Sequence, residues 1–211
     1  MSYNEGIKID PSDAEAWAGK GTALAEMGMY EEALNSYNTS LDLDKSKSDI
    51  WAKKAQVLND LAVFDEAIKA STKAIDLNPF DADAWSIKGH AQYSLGKNTD
   101  ALKSFEKTLE INPLDSVAWY SKGLVLIDMG VYEAALDSFD KATKIDPTNI
   151  ASWINRGNIL LKINRSEDAL SSYQEALELN PSSSAAWYGK GVALNDTGKH
   201  DEALTSYNKA I

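Results

Sequence analysis

Every tryptophan of the 211-residue chain lies 34 residues from its neighbour in the series. A domain with a single non-repeating core has no reason to keep such a spacing, whereas a fixed period of about 20–50 residues is typical of stacked repeats. The period predicts one element repeated along the chain, and every other residue can be placed by its distance from a tryptophan. The six positions are Trp17, Trp51, Trp85, Trp119, Trp153 and Trp187.

The fourth repeat shows the helical pattern most clearly. Apolar or small residues recur at a helical spacing on one face of a first helix, at Trp119, Gly123, Leu126 and Met129. Gly130 is expected to end this helix, because glycine readily adopts the left-handed conformation of a helix C-terminus. A second apolar stripe follows from Tyr132 to Ile145, and Pro147 ends it. The pattern predicts an all-α fold built from pairs of antiparallel helices.

Three columns of small or aromatic residues run through the repeats. Glycine stands four residues after the tryptophan in five repeats, and Ala55 takes this place in the second. A glycine inside a helix costs about 1 kcal/mol relative to alanine, so this column predicts close approach of the partner helix. An alanine stands sixteen residues after each tryptophan, and an aromatic residue follows four further on except at Ser71. Because Ala62 also replaces the turn glycine, we expect the second repeat and its junction with the first to be loosest.

This pattern, W-x3-G-x2-L…A-x3-[FY]-x2-A…P, resembles the tetratricopeptide repeat in its bacterial and archaeal form. The resemblance covers essentially the whole chain and implies an α–α superhelix, a right-handed solenoid of antiparallel helix pairs. We expect a single array over residues 1–211, with repeats that start near residues 14, 48, 82, 116, 150 and 184. Residues 2–13 would then be the trailing helix of a preceding repeat, and the last repeat would be truncated.

The composition limits the partners and the location of the protein. A formal net charge of −11 argues against nucleic acid and anionic membranes. Acidic residues recur where each second helix starts, where they favour the helix dipole, so the charge does not by itself indicate a basic ligand. No apolar run approaches the about 18 residues that span a bilayer. The absence of cysteine fits a reducing compartment, and we expect a cytoplasmic protein.

No pattern of catalytic or metal-binding residues occurs in the sequence. The two histidines, His90 and His200, belong to different repeats, and there is no cysteine to join them at a metal. The sequence lacks a phosphate-binding G-x-x-x-x-G-K-[ST] loop and a G-x-S-x-G nucleophile elbow. We therefore expect neither enzymatic activity, nor a cofactor, nor a bound metal.

A basic residue stands three positions after each tryptophan, inside the apolar face. One interpretation is a basic ladder for a ligand. The other is a side chain whose stem packs between helices while its head group reaches water or a carboxylate. We favour the second, because a basic residue in every repeat discriminates no ligand. The column consists of Lys20, Lys54, Lys88, Lys122, Arg156 and Lys190.

A face of the first helices varies from repeat to repeat, at positions one, five and eight after the tryptophan. The resemblance implies that this face lines the concave groove that holds peptides in tetratricopeptide proteins. Its first half is small and polar and its second half apolar with amides, which suits an extended or helical peptide with apolar anchors. Alternatively, the apolar residues pack against the next repeat. The candidate peptide-binding residues are His90, Tyr93, Tyr120, Leu124, Ile127, Ile154, Asn155, Asn158, Leu161, Tyr188, Val192 and Asn195.

One mode of binding known in the family does not match this sequence. Chaperone-binding members hold a C-terminal carboxylate with a lysine one residue after the tryptophan and an asparagine four residues beyond it. Asn158 matches the asparagine, but Ile154 stands where the lysine is needed. We therefore expect no carboxylate clamp.

These observations predict a non-catalytic protein–protein interaction scaffold whose partner is a protein or a peptide. Two alternatives stay open, namely a structural, self-assembling solenoid and a docking arm of a larger enzyme or regulatory protein. Apolar residues near both ends, among them Tyr3, Ile7, Tyr207 and Ile211, predict weak end-to-end self-association.

Overall fold

The computed structural model describes residues 7–211, which divide after Pro113 into two compact units. The first unit contains six helices, α1 Ala14–Glu26, α2 Tyr30–Leu43, α3 Ser48–Asp60, α4 Phe64–Leu77, α5 Ala82–Ser94 and α6 Asn98–Ile111. The second contains α7 Ser116–Asp128, α8 Tyr132–Ile145, α9 Ile150–Lys162, α10 Ser166–Leu179, α11 Ser184–Asp196 and α12 His200–Ala210.

Each odd-numbered helix packs on the even-numbered helix that follows it, so the described chain is a series of helical hairpins. This confirms the predicted all-α helical-repeat fold. Residues 7–9 are also helical. Residues 2–6 of the expected trailing helix lie outside the described residues, and the single array over residues 1–211 stays a prediction.

The first helix of a hairpin usually begins at a side-chain cap. The carboxylate of Asp13 accepts the backbone N–H groups of Glu15 and Ala16 at 2.9 and 3.1 Å. Asp81, Asp115 and Asn149 accept a backbone N–H in the same way. These caps satisfy donors that the first helical turn leaves unpaired. In the second repeat Lys47 stands here, and its Nζ pairs with the Glu15 carboxylate of the first repeat instead.

A residue with positive φ ends the turn between the two helices of each hairpin. Gly28, Gly96, Gly130 and Gly198 have φ between 70° and 77°. Ala62 and Asn164 replace glycine in two repeats, yet they adopt nearly the same conformation, with φ of 58° and 59°. The turn geometry is therefore kept where glycine is missing, and at Ala62 the side chain makes it unfavourable.

The glycine column inside the first helices meets the aromatic column of the second helices. A Cβ added at Gly21, Gly89, Gly123, Gly157 or Gly191 would lie 2.5–2.8 Å from a ring carbon of the facing tyrosine or phenylalanine. Real Cβ atoms do not approach a ring so closely, so the close approach predicted from the column is confirmed.

In the second repeat a different pair of residues, Ala55 and Ser71, stands at the contact between the two helices. Ala55 brings a methyl group where the others have glycine, and Ser71 removes the ring that would meet it. Both residues are fully buried, and Ser71 Oγ donates to the Ala67 carbonyl at 2.7 Å. Within the units, the contact between α2 and α3 is the least extensive between successive repeats, as expected for this junction.

The tryptophans are partly buried. At Trp17, Trp51, Trp85, Trp153 and Trp187 the indole makes two contacts, a hydrogen bond to the preceding link and a contact with a basic side chain. The indole N–H of Trp17 donates to the Pro11 carbonyl at 3.0 Å, which fastens the link before α1. Trp51 makes the same bond to Lys45 at 3.1 Å, so the link keeps its course without proline. The basic column covers the outer face of the rings, with 5.1 Å from Lys20 Nζ to the Trp17 centroid and 5.9 Å from Arg156 to Trp153. This supports packing, rather than a ligand ladder, as its role.

Within residues 7–211, no helix combines the length and the apolar character that a membrane crossing requires.

Candidate functional site

Ten of the twelve candidate residues belong to the second unit, where they form the second-unit stripe. They come from α7 (Tyr120, Leu124, Ile127), α9 (Ile154, Asn155, Asn158, Leu161) and α11 (Tyr188, Val192, Asn195). Tyr188, Asn158 and Asn195 are exposed, and the other seven are partly buried. Neighbouring positions of the same helices, such as Ala118, Ala186 and Ala193, are fully buried in the core. The stripe is therefore accessible, while the core columns beside it are not.

A tyrosine and an amide join the α7 and α9 parts of this stripe. Asn155 Nδ2 donates to the Tyr120 hydroxyl at 3.3 Å and to the Ala151 carbonyl at 3.0 Å. The Tyr120 ring meets the buried ring of Phe139 edge-on, with centroids 5.8 Å apart. Tyr120 and Asn155 are thus held in place before any ligand arrives.

A buried tyrosine hydroxyl reaches the stripe at Asn158. The Tyr173 hydroxyl donates to Asn158 Oδ1 at 2.8 Å. The Tyr173 ring is fully buried between α9 and α11, because added Cβ atoms at Gly157 and Gly189 would lie 2.7 and 2.4 Å from it. Burial raises the pKa of the Tyr173 hydroxyl well above its ordinary value. The hydroxyl therefore keeps its proton and remains a donor.

The α11 part of the stripe is more open. The Tyr188 ring is tilted against that of Tyr207, with centroids 5.8 Å apart, and its residue is 62% exposed. Asn195 Oδ1 lies 3.1 Å from His200 Nδ1. Together with Ala210 and Ile211, the two tyrosines line a shallow apolar cavity of about 490 Å³.

The remaining candidates, His90 and Tyr93, lie on α5 in the first unit and are partly buried. The His90 ring packs edge-on against Phe105, with centroids 5.0 Å apart. His90 also lines a cavity of about 420 Å³ between α3 and α5, which Asp49, Asp81 and Asp83 make acidic. This part of the face is polar and has an acidic edge.

The connection between the aromatic column and the variable face was not predicted from the sequence. Tyr37 repeats the Tyr173 arrangement in the first unit, since its hydroxyl lies 3.3 Å from Thr22 Oγ1, which donates to the Ala18 carbonyl. Both tyrosines contact the residue fifteen positions earlier, and that residue is polar. A tyrosine with a polar residue at this distance is the signal that could have revealed the connection.

No group of three or more histidine, aspartate or glutamate side chains that could hold a metal ion occurs in residues 7–211. Ile9 and Ile211 are strongly exposed, as an association surface would require. Tyr3, which completes the expected surface at the other end, lies outside the described residues, and self-association stays a prediction.

The hairpins and the repeated packing columns define a helical-repeat protein. One family model described as tetratricopeptide repeat matches residues 52–116, 88–150 and 154–211, and a second model with the same description matches residues 2–35. The chain belongs to the tetratricopeptide repeat family. No curated protein matches its sequence at a significant level.

Several solved structures share this fold at low sequence identity. YrrB, a tetratricopeptide repeat protein with an unusual peptide-binding site, aligns with a TM-score of 0.75 and 23% identity, over 90% of this chain and 98% of YrrB. Residues 41–end of MamA from Desulfovibrio magneticus RS-1 align with a TM-score of 0.74 and 21% identity, over 80% of this chain and 96% of that one.

Proposed function

We propose that this chain is a non-catalytic interaction scaffold that binds a peptide on the second-unit stripe. The fold of the family is that of a protein–protein interaction scaffold. The observation that carries the finer proposal is the accessible row of aromatic, aliphatic and amide side chains on α7, α9 and α11. A row with apolar anchors and a few polar groups is suited to a peptide. The peptide-binding site attributed to YrrB is consistent with this use of the fold.

The stripe also differs from the core in how it changes along the chain. The column sixteen residues after each tryptophan is alanine throughout, whereas the first stripe position is Tyr120 in one repeat and Ile154 in the next. The side chains of the partly buried stripe residues are held in one conformation by contacts such as that of the Tyr120 ring with the Phe139 ring. A surface that is both accessible and held in place limits the entropy lost on binding.

The test is a selection from a displayed library of random dodecapeptides on the whole chain, followed by affinity measurement of the selected peptides. Tyr188→Ala removes a stripe residue that is 62% exposed, and the matched control Leu204→Ala removes one on α12 that is 61% exposed. We expect Tyr188→Ala to weaken binding about tenfold, as truncation of an aromatic anchor does, and Leu204→Ala to leave it unchanged. Thermal melts should be unaffected in both variants. Failure to select any peptide, or equal affinities for the two variants, contradicts the proposal.

The self-assembling solenoid is the second candidate, and the apolar cavity at Tyr188, Tyr207 and Ile211 favours it. Sedimentation of the same Tyr188→Ala variant separates the two functions. A change in oligomeric state without a change in peptide affinity would support self-assembly instead of peptide binding.

A further inference from the structure

A glutamine stands in the core of the third repeat where the other repeats have leucine. The column seven residues after each tryptophan consists of Leu24, Leu58, Gln92, Leu126, Leu160 and Leu194. Gln92 is 8% exposed, close to the 7% of Leu58 and the 5% of Leu126. Burial of an amide is unfavourable unless its polar atoms find hydrogen-bond partners. What this position can bind therefore depends on which atom of the Gln92 amide the protein already uses.

The oxygen of the Gln92 amide is used inside the protein. Ser104 Oγ, on α6, donates to Gln92 Oε1 at 2.6 Å. This separation is typical of an O–H···O bond and short for an N–H···O bond, so the oxygen rather than the nitrogen faces the serine. In four other repeats the serine of this column donates to the carbonyl four residues earlier, as Ser138 does to Ala134 at 2.9 Å. The serine of the third repeat orients the amide instead.

The nitrogen of the same amide is left for a ligand. Gln92 Nε2 carries two N–H donors, and neither is taken up by an acceptor in the part of the chain that the structure describes. Gln92 lines a cavity of about 380 Å³ between α5 and α6, together with Trp85 and Lys88. All residues of this cavity belong to the first unit. A side chain that is more than nine-tenths buried therefore brings unused donors to the cavity.

A lysine one helical turn earlier adds a positive charge on the same side of α5. Lys88 precedes Gln92 by four residues, so the two side chains are neighbours on the helix. Lys88 Nζ lies 5.3 Å from the centroid of the Trp85 ring, and within residues 7–211 no carboxylate pairs with it. The ammonium group and the amide nitrogen are thus two adjacent donors without a protein acceptor.

The other charges of the cavity wall balance one another. Lys103 pairs with Asp100 at 3.9 Å, and Lys107 pairs with Glu110 at 2.5 Å. Glu106 also lines the cavity, so three lysines face three acids in all. The cavity has no excess positive charge that would attract a polyanion such as phosphate. It suits a ligand with a single negative charge that accepts hydrogen bonds from the ammonium and amide groups.

The corresponding cavity of the fifth repeat, of about 350 Å³ beside Trp153, lacks these free donors. Leu160 stands there in place of the glutamine and is fully buried. Arg156 stands in place of the lysine, and it donates from Nε to Asp140 at 2.5 Å and from Nη1 to Ser172 at 2.6 Å. The fifth repeat satisfies its cation within the protein, whereas the third repeat does not.

We propose that Lys88 and Gln92 form a binding site for a carboxylate, with one oxygen accepting from Lys88 Nζ and the other from Gln92 Nε2. The two oxygens of a carboxylate offer enough lone pairs to accept from both groups at once. The carboxylate belongs either to a small organic acid or to an acidic side chain of a partner protein, and the cavity volume is near the lower end of the range for small-molecule sites. This site does not depend on peptide binding at the second-unit stripe.

The first experiment titrates the 15N-labelled whole chain with sodium propionate and follows the side-chain amide signals by NMR. The chain has three glutamines, Gln56, Gln92 and Gln174, so the signal pair that disappears in Gln92→Leu is that of Gln92. We expect propionate to shift this pair saturably, and sodium chloride or sodium phosphate of equal ionic strength to leave it in place. An absent shift with propionate, or equal shifts with all three salts, overturns the inference.

A second titration distinguishes the two sources of the carboxylate. It uses the tripeptide Gly-Glu-Gly, acetylated and amidated at its ends so that the glutamate side chain carries its only carboxylate. Binding at least about tenfold tighter than that of propionate supports the site with a partner protein as the source. Binding that is equal or weaker supports the site with a free organic acid as the source.

Two substitutions test the donors, with affinity followed at the backbone amides of α5. Gln92→Leu restores the residue of the other repeats, so it should melt no lower than the wild type and bind propionate about tenfold more weakly. Lys88→Met keeps the side-chain stem but removes the charge, and we expect a similar loss. Lys54→Met makes the same change in the second repeat and should bind like the wild type. Unchanged affinity in Gln92→Leu or in Lys88→Met overturns the inference.

Discussion

Tyr173 and Phe139 occupy the same column of the repeat, and both rings are fully buried against a glycine. They differ by one hydroxyl, which extends from the core to the surface and fixes the orientation of Asn158. A core position thereby determines what a surface position offers to a ligand. Other buried side chains carry a polar atom that has no hydrogen-bond partner in the described part of the chain.

Ser152 is such a residue. Its side chain is 1% exposed, and its Oγ has no hydrogen-bond partner in the described part of the chain. The equivalent position is alanine in most other repeats, as at Ala118 and Ala186. Ser152→Ala should raise the free energy of unfolding by about 1 kcal/mol, because a buried unsatisfied hydroxyl is removed.

Urea denaturation of Ser152→Ala can be compared with Ser172→Ala. Ser172 is equally buried, but its Oγ accepts from Arg156 Nη1 at 2.6 Å and donates to the Asp168 carbonyl. The same substitution should therefore lower stability there. Destabilisation by Ser152→Ala would show that its hydroxyl does have a partner.

At the scale of elements, the helices are fixed by signals that the sequence displays. The helices α1, α3 and α5 begin at residues 14, 48 and 82, three residues before the tryptophan of each repeat. The substitutions in the second repeat are local departures that the fold accommodates. Two predictions concern this repeat.

Ala62→Gly should stabilise the protein. Ala62 has a φ of 58°, in the left-handed region that costs an ordinary residue about 1–2 kcal/mol. The gain in the free energy of unfolding should be about 1 kcal/mol by thermal or urea denaturation. Gly130→Ala, at the same place in the fourth repeat, should lose a similar amount. A loss of stability in Ala62→Gly would mean that the turn does not need the left-handed conformation.

Ala55 and Ser71 should behave as a coupled pair. Ser71→Phe alone places a ring against the Ala55 methyl group, and overpacking of this kind costs about 1–3 kcal/mol. Adding Ala55→Gly restores the pair found at Gly123 and Phe139 and should recover most of that loss. A double-mutant cycle measures the coupling. Additive effects of the two changes would contradict the packing described for this repeat.

At the scale of the molecule, the sequence predicted the fold far more completely than the site. Repeated columns, such as the glycines and the aromatic residues Phe105 and Phe139, indicate which residues form the core. They can be recognised in the sequence because the same helix packing recurs along the repeats. The candidate residues could be placed on a face of the helices from the sequence. The orientation of the side-chain amides of Asn155 and Asn158 could not be predicted in the same way. It depends on contacts with Tyr120 and Tyr173, which only the packed helices bring together.

The partly buried tryptophans make contacts that their spacing in the sequence did not predict. Their period predicted a repeated element, whereas the structure adds a hydrogen bond to the preceding link and a basic side chain on the ring, as at Trp17 and Lys20. Both contacts recur along the chain. The tryptophan therefore stabilises the link that precedes its hairpin and also packs within that hairpin.

The most direct test of the central claim is to map where a bound peptide touches the protein. A peptide selected from the library and carrying a benzophenone at its central residue can be photo-crosslinked to the whole chain and located by mass spectrometry. We predict crosslinks to stripe residues of α7, α9 and α11, concentrated near Ile154 and Asn158. Crosslinks confined to the opposite helices α8, α10 and α12, or to the first unit, would contradict it.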